Sequence, residues 1–359
     1  MKETFKIALT WHAGEKDLEE YRKHVPSNCT LINPKSAFIE DLLAIAPKAD
    51  AIIGAYIPQE MIENAPNVKM VQILHAGVAT AHPGDTVLGF RLDYLAKNNI
   101  LMGNIHGNNL AVAEHAMCFI LALAKQLIPV NNAVSKNEWY PVTEETKSYM
   151  LCDSTLGIVG IGHIGGEVAK RAKAFNMRVM GVDRNPQSAR IKELALDFVG
   201  STSELPEILK EADFVLLTVP LTRETYGLIG EEELKMMKSS AYLINVARAH
   251  LVNEQALYKA LTEKWIKGFA SDVWWFYSYS VASNVGSRNP SESWFDFGFH
   301  YSLPSRLGVN RLPNVVGTSD RATYVRGVSA DFIVDGLKNV SAFARGETPP
   351  NLVNLDLGF

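Results

Sequence analysis

Short apolar runs alternate with amphipathic stretches along the first hundred residues. The runs are "KIALT", "CTLIN", "DAIIGAY", "KMVQIL" and "NILMGN". Each is strand-sized and bounded by polar residues, so each predicts a buried strand. Between them, "EKDLEEYRKHV", "SAFIEDLLAIA" and the region around Tyr94 carry apolar positions at helical spacing. Strand and helix in alternation predict a parallel sheet with crossover helices. A long apolar helix is expected from about Leu110 to about Leu127. A second alternating series then opens at "TLGIVG" and runs through "MRVMGVD", "DFVLLTV", "AYLINVA" and "IKGFASDV". The fold class is therefore α/β, with two doubly wound parallel-sheet domains. Ala322 to Ala344 is expected to form a closing helix, and the tail "GETPPNLVN" to be extended, because Pro349 and Pro350 cannot continue a helix.

Residues 274–301 break the pattern. They hold ten aromatic residues among Ser, Asn, Gly and Pro. A flexible linker does not concentrate ring surface in this way. The segment reads equally well as an ordered excursion over an active-site cleft or a partner subunit, and as a loop tucked onto its own domain. The insertion as a whole spans about 274–311.

Composition narrows the class. A chain of 359 residues suits two domains, and 47% hydrophobic with 21% charged residues suits a soluble globular protein. A net charge of −4 offers no electrostatic attraction for nucleic acid or an anionic membrane. Cys29, Cys118 and Cys152 are odd in number and lack CxxC spacing, so neither a disulfide framework nor a structural zinc site is expected. The segment from Ala111 to Val130 is apolar but carries Glu114, His115 and Lys125, which favours a buried helix over a membrane span. The opening residues have only a short apolar run and do not read as a signal peptide. A cytoplasmic protein is the expectation.

The strongest local motif is "GIVGIGHIGG". Gly160, Gly162 and Gly165 form G-x-G-x-x-G after an apolar strand and before the helical "EVAKRAKAF". Such glycines permit a tight turn and let the backbone approach a pyrophosphate at a helix N-terminus. Asp183 ends the next strand, 18 residues beyond Gly165 (183 − 165). An acid there bonds a ribose diol and repels a 2′-phosphate, favouring NAD, although the adjacent Arg184 could accommodate a phosphate.

With these motifs in place, the chain resembles the D-isomer-specific 2-hydroxyacid dehydrogenases. "HAGVAT", "GNNLAVAEHA", "LLTVPLTRETYGLI", "MKSSAYLINVARAHLVNEQAL", "IKGFASDV", "LPNVVGTS" and "PPNLVN" carry the resemblance over nearly the whole length. It implies a flavodoxin-like substrate domain of residues 1–108 and 321–359, a Rossmann cofactor domain of 109–320, and a cleft between them. It further implies a homodimer formed mainly through the cofactor domains. Arg248 matches the arginine that holds a substrate carboxylate, a task suited to guanidinium geometry. The main-chain N–H groups of Val78 and Ala79 and the side chain of Asn108 match substrate contacts. Asp272 matches the residue that holds the nicotinamide amide. The cofactor is expected along Gly160, Gly162, His163, Ile164, Gly165, Asp183, Arg184, Pro220, Thr225, Val246 and Ala247.

Two positions depart from the family pattern. Five residues after Asp272, where the family usually has glutamate, this chain has Tyr277, and where it has its proton-transferring histidine this chain has Asp320. Ala322 fits the family pattern two residues on, and no histidine follows His300. An aspartate titrates near ~3.9, and a neighbouring arginine lowers that further, so Asp320 is expected to be permanently ionised and a poor acid. Three outcomes follow. His75 or Tyr277 supplies the proton, or the substrate needs no proton transfer, or the protein binds NAD(H) without turnover as a sensor or interaction protein. His106, His115 and His250 are read as structural.

Overall fold

The computed structural model describes residues 4–78, 89–277, 302–323, 325 and 328–357. Contacts divide the chain into two compact units. The first contains Met1–Asn108 and Val325–Phe359, the second Asn109–Tyr277 and Ser302–Tyr324.

In the first unit, β1 (Phe5–Leu9), β2 (Cys29–Ile32), β3 (Ala51–Gly54), β4 (Met70–Ile73) and β5 (Leu101–Gly103) form a parallel sheet in the order β2-β1-β3-β4-β5. Successive residues of β3 serve opposite faces. Ile52 joins one apolar cluster with Val71 and Ile73, while Ala51 and Ile53 join another with Met70. A strand buried on both sides reads as an unbroken apolar run, which is why "AIIG" was recognisable. The closing helix Val328–Ala344 adds Phe332, Ile333, Leu337 and Val340 to the second cluster.

In the second unit, β6 (Thr155–Val159), β7 (Arg178–Val182), β8 (Phe198–Gly200), β9 (Phe214–Leu217), β10 (Tyr242–Asn245) and β11 (Gly268–Ser271) are parallel strands. A short antiparallel pair, β12 (Phe276–Tyr277) and β13 (Ser302–Leu303), precedes β14 (Val315–Gly317). The large sheet has the order β14-β11-β10-β9-β6-β7-β8. Strand order reverses beside β6, and the carboxyl end of such a switch point is where α/β sheets bind ligands. The three-residue β8 and the β12–β13 pair are too short to stand out as periodic runs.

Two helices differ from the sequence expectation. The helix that opens the second unit ends at Ala124, because Gln126 takes a left-handed conformation (φ 50°), and the next helix, Leu127–Val134, is turned by 62°. Among the described residues no single helix is long and apolar enough to cross a membrane. The closing helix starts at Val328 instead of Ala322. Asp320 has a left-handed backbone (φ 54°), and the N–H groups of Arg321 and Ala322 are taken by the Asp272 carboxylate, so those residues stay with the second unit.

Candidate active site

The glycine turn separates three steric tasks. Gly160 has φ +94°, and a Cβ there would lie 2.6 Å from Val219 Cγ1. A Cβ on Gly165 would lie 2.3 Å from the Gly160 carbonyl oxygen, so this glycine lets the helix His163–Ala174 sit against the strand end. A Cβ on Gly162, the N-cap of that helix, meets nothing within 4 Å. Here the chain leaves open space beside a helix N-terminus, the feature a pyrophosphate requires. His163 is exposed and Ile164 half-buried in the first turn.

Asp183 follows β7. Its Oδ2 accepts the Ile161 N–H and its Oδ1 the Asn185 N–H, both at 2.9 Å. Each oxygen keeps acceptor capacity for a diol, and the exposed Arg184 is its neighbour. Thr225 closes a turn by donating to the Pro220 carbonyl at 2.6 Å. The residues fit a dinucleotide: a turn that admits pyrophosphate, and an acid at the end of the next strand.

Arg248 is positioned by a residue that sequence reading passed over. Asn245, fully buried at the end of β10, accepts the Ala247 N–H at 3.0 Å and donates to the Arg248 carbonyl at 2.9 Å. This clips Val246, Ala247 and Arg248 into one turn. The guanidinium donates to the Ala247 carbonyl at 2.8 Å. A lone amide closing an apolar strand, as in "YLIN", is the signal that could have singled Asn245 out.

Asp320 lies beyond the carboxyl end of β14, half-buried. Burial pushes its carboxyl up to about 6; the Arg248 guanidinium pulls the other way and the Asp272 carboxylate reinforces the rise. The expectation of a permanently ionised Asp320 is therefore corrected. The arginine does lower the carboxyl, but the loss of hydration outweighs it.

Asp272 is almost fully buried, and its carboxylate grips the same turn. Oδ1 accepts the Thr318 hydroxyl at 2.5 Å and the Arg321 N–H at 2.8 Å, and Oδ2 accepts the Ala322 N–H at 2.9 Å. His115 Nε2 is 2.9 Å from Thr318 Oγ1 and 3.7 Å from Asp272 Oδ1, its ring edge-on to Phe119. Trp274, buried, donates to the Thr318 carbonyl at 2.7 Å. Neither Thr318 nor the polar contact of His115 was anticipated; a histidine inside the otherwise apolar "AVAEHAMCFIL" was the available signal.

In the first unit, His75 is exposed, with its Nε2 donating to the Ala55 carbonyl at 3.0 Å, and Val78 is buried. Asn108 is 8% exposed and its Oδ1 has no hydrogen-bond partner among the described residues. Ala79 and the stretch 278–301 lie outside the described residues, so of the aromatic excursion only its two ends are described. The Tyr277 backbone pairs with Ser302. Trp275 is buried and donates to the Val252 carbonyl at 3.0 Å. His106 donates its main-chain N–H to Asp335, and His250 stacks on Tyr226.

Comparison with known proteins identifies the fold and its family. Residues 117–290 match the profile of the D-isomer specific 2-hydroxyacid dehydrogenase, NAD binding domain. The chain is 33% identical to the glyoxylate reductase of Pyrococcus furiosus over 326 residues, 89% of this chain and 86% of that one. It is 34% identical to the Pyrococcus horikoshii glyoxylate reductase over 327 residues, with the same coverage. Among solved structures, D-lactate dehydrogenase from Aquifex aeolicus, complexed with NAD and lactic acid, aligns with a TM-score of 0.69 at 26% identity, covering 97% of this chain and 98% of that one. The NAD-complexed D-isomer specific 2-hydroxyacid dehydrogenase of Lactobacillus delbrueckii ssp. bulgaricus shares the fold, with a TM-score of 0.72 at 23% identity over 97% and 100% of the two chains. With a glycine turn open to a pyrophosphate and an acid at the next strand end, the chain belongs to the D-isomer-specific 2-hydroxyacid dehydrogenase family, and its cofactor is NAD.

Proposed function

We propose that this protein reduces a small 2-keto acid of the glyoxylate type, with Arg248 holding the substrate carboxylate and Asp320 transferring the proton. The observation that carries the reading is the half-buried Asp320, whose carboxyl burial lifts to about 6 beside Arg248. A general acid works best when it titrates near the working pH. NADH, when bound, supplies the hydride that C2 of the keto acid receives. The protonated Asp320 gives its proton to the C2 oxygen, leaving a 2-hydroxy acid and NAD, and regains a proton from solvent. Arg248 provides a bidentate grip that a single ammonium cannot. The resemblance gives Asn108 a substrate contact, and its buried Oδ1 has no hydrogen-bond partner among the described residues. Tyr277 and His75 are the other groups of the altered set able to supply the proton, and His75 Nε2 lies 3.0 Å from the Ala55 carbonyl. A silent NAD(H)-binding protein is the second reading; the replaced histidine favours it, while the retained Arg248 and the raised carboxyl of Asp320 favour turnover.

The resemblance also supports a homodimer through the second unit. Leu127, Val134, Trp139, Val142 and Met150 are exposed apolar residues within one segment, Trp139 at 92%. Such a cluster favours a covering partner, here a second copy. The free Cys29, Cys118 and Cys152 suit a reducing cytoplasm.

The test is NADH consumption with a panel of small 2-keto acids, on the wild type and on Arg248→Ala. Turnover in the wild type that falls on the order of 10²-fold in the variant, as expected for loss of charge-assisted bidentate bonds, supports the reading. NADH binding without turnover on any acid overturns it.

A further inference from the structure

We propose that Asp272 is the positioning residue for Asp320. Its carboxylate and carbonyl hold residues 318–322 in the turn that presents Asp320, and Thr318 and His115 complete the clamp. The inference rests on the role of Asp320 given above.

Four bonds carry it. The Asp272 carbonyl accepts the Asp320 N–H at 2.8 Å, and the carboxylate accepts the Thr318 hydroxyl, the Arg321 N–H and the Ala322 N–H. Asp320 is thus fixed on both sides while its own backbone is left-handed (φ 54°), a conformation that persists where surroundings over-determine it. The hydrogens in the clamp have a single consistent order. A carboxylate only accepts, so the Thr318 proton goes to Asp272 Oδ1. His115 Nε2 must then donate to Thr318 Oγ1. At 2% exposure, Asp272 spends its carboxylate on this chain, where the family pattern gives the matching residue to the nicotinamide amide. The charged groups that act on Asp320 are Arg248 and Asp272, and His115 faces Asp272 through Thr318.

The full-length Thr318→Val and Asp272→Asn variants test the clamp by three measurements. These are NADH binding by fluorescence, the pH profile of kcat and KM for glyoxylate reduction, and the carboxyl titration of Asp320 by carbon NMR, assigned with Asp320→Asn. NADH binding and KM are expected to match the wild type. kcat is expected to fall on the order of tenfold to a hundredfold, the scale of a misplaced catalytic group. The Asp320 midpoint should move down toward the ordinary carboxylate range in both variants, in Asp272→Asn also because a neighbouring negative charge is gone. Weaker NADH binding with unchanged kcat at saturation would make Asp272 a cofactor contact and overturn the proposal. An unchanged titration and unchanged kcat would overturn it as well. Should Asp272→Asn fail to fold, Thr318→Val, close in shape to the native residue, carries all three measurements. Should the wild type turn over no keto acid, the functional reading fails, and the Asp320 titration still decides the clamp.

Discussion

The main-chain N–H of Asp320 donates to the carbonyl oxygen of Asp272 at 2.8 Å, while the Asp272 carboxylate takes the N–H groups of the next two residues, Arg321 and Ala322. One buried acid thereby sets the backbone of another. Hydration lost at the strand end makes the second acid harder to ionise, which turns an aspartate into a group able to give a proton near neutral pH.

That rise has a consequence for stability. The folded-state carboxyl titrates at about 6, above its ordinary value, so the folded chain binds this proton more tightly than the unfolded chain does. The contribution is fully present below about pH 4 and is lost as pH rises through about 6, a change on the order of 3 kcal/mol. Asp320→Asn should therefore melt above the wild type at pH 8 and level with it at pH 4. Equal melting temperatures at pH 8 would show that ionised Asp320 carries no burial penalty.

The glycine turn gives a contrast between two single-methyl changes. Gly162→Ala adds a Cβ that meets no protein atom within 4 Å, so its melting temperature should match the wild type while NADH binding weakens. Gly165→Ala drives a Cβ to 2.3 Å from the Gly160 carbonyl oxygen and should lower the melting temperature, by roughly 1–3 kcal/mol in stability. Normal NADH affinity in Gly162→Ala would place the pyrophosphate elsewhere.

The exposed apolar segment of the second unit offers a test of assembly. Replacing Trp139 with Ser and Val142 with Asp together should convert the proposed dimer to a monomer in sedimentation, with NADH binding retained. A sedimentation coefficient unchanged by both substitutions would remove this segment from any interface.

Fold and cofactor turn were legible because their signals are local. β3 is buried on both faces, so its residues are apolar without alternation, and G-x-G-x-x-G stands between its own strand and helix. The clamp around Asp320 is not local. His115 and Thr318 meet across 203 positions and Asp272 and Ala322 across 50, and nothing in either stretch marks the other. The charge state of Asp320 was misjudged for a related reason. Its attraction to Arg248 could be anticipated from two motifs, whereas its burial depends on how β14 ends among residues from several elements. The early stop of the long helix turned on one residue, Gln126, adopting a backbone conformation its side chain does not announce.

The most direct test is the pH dependence of NADH-driven glyoxylate reduction by the wild type and by Asp320→Asn. If Asp320 delivers the proton, wild-type kcat falls as pH rises through about 6, where the carboxyl loses its proton. Asp320→Asn then binds NADH normally and reduces glyoxylate on the order of 10²–10⁴ times more slowly, without that pH step. An Asp320→Asn enzyme with the rate and pH profile of the wild type would contradict the account.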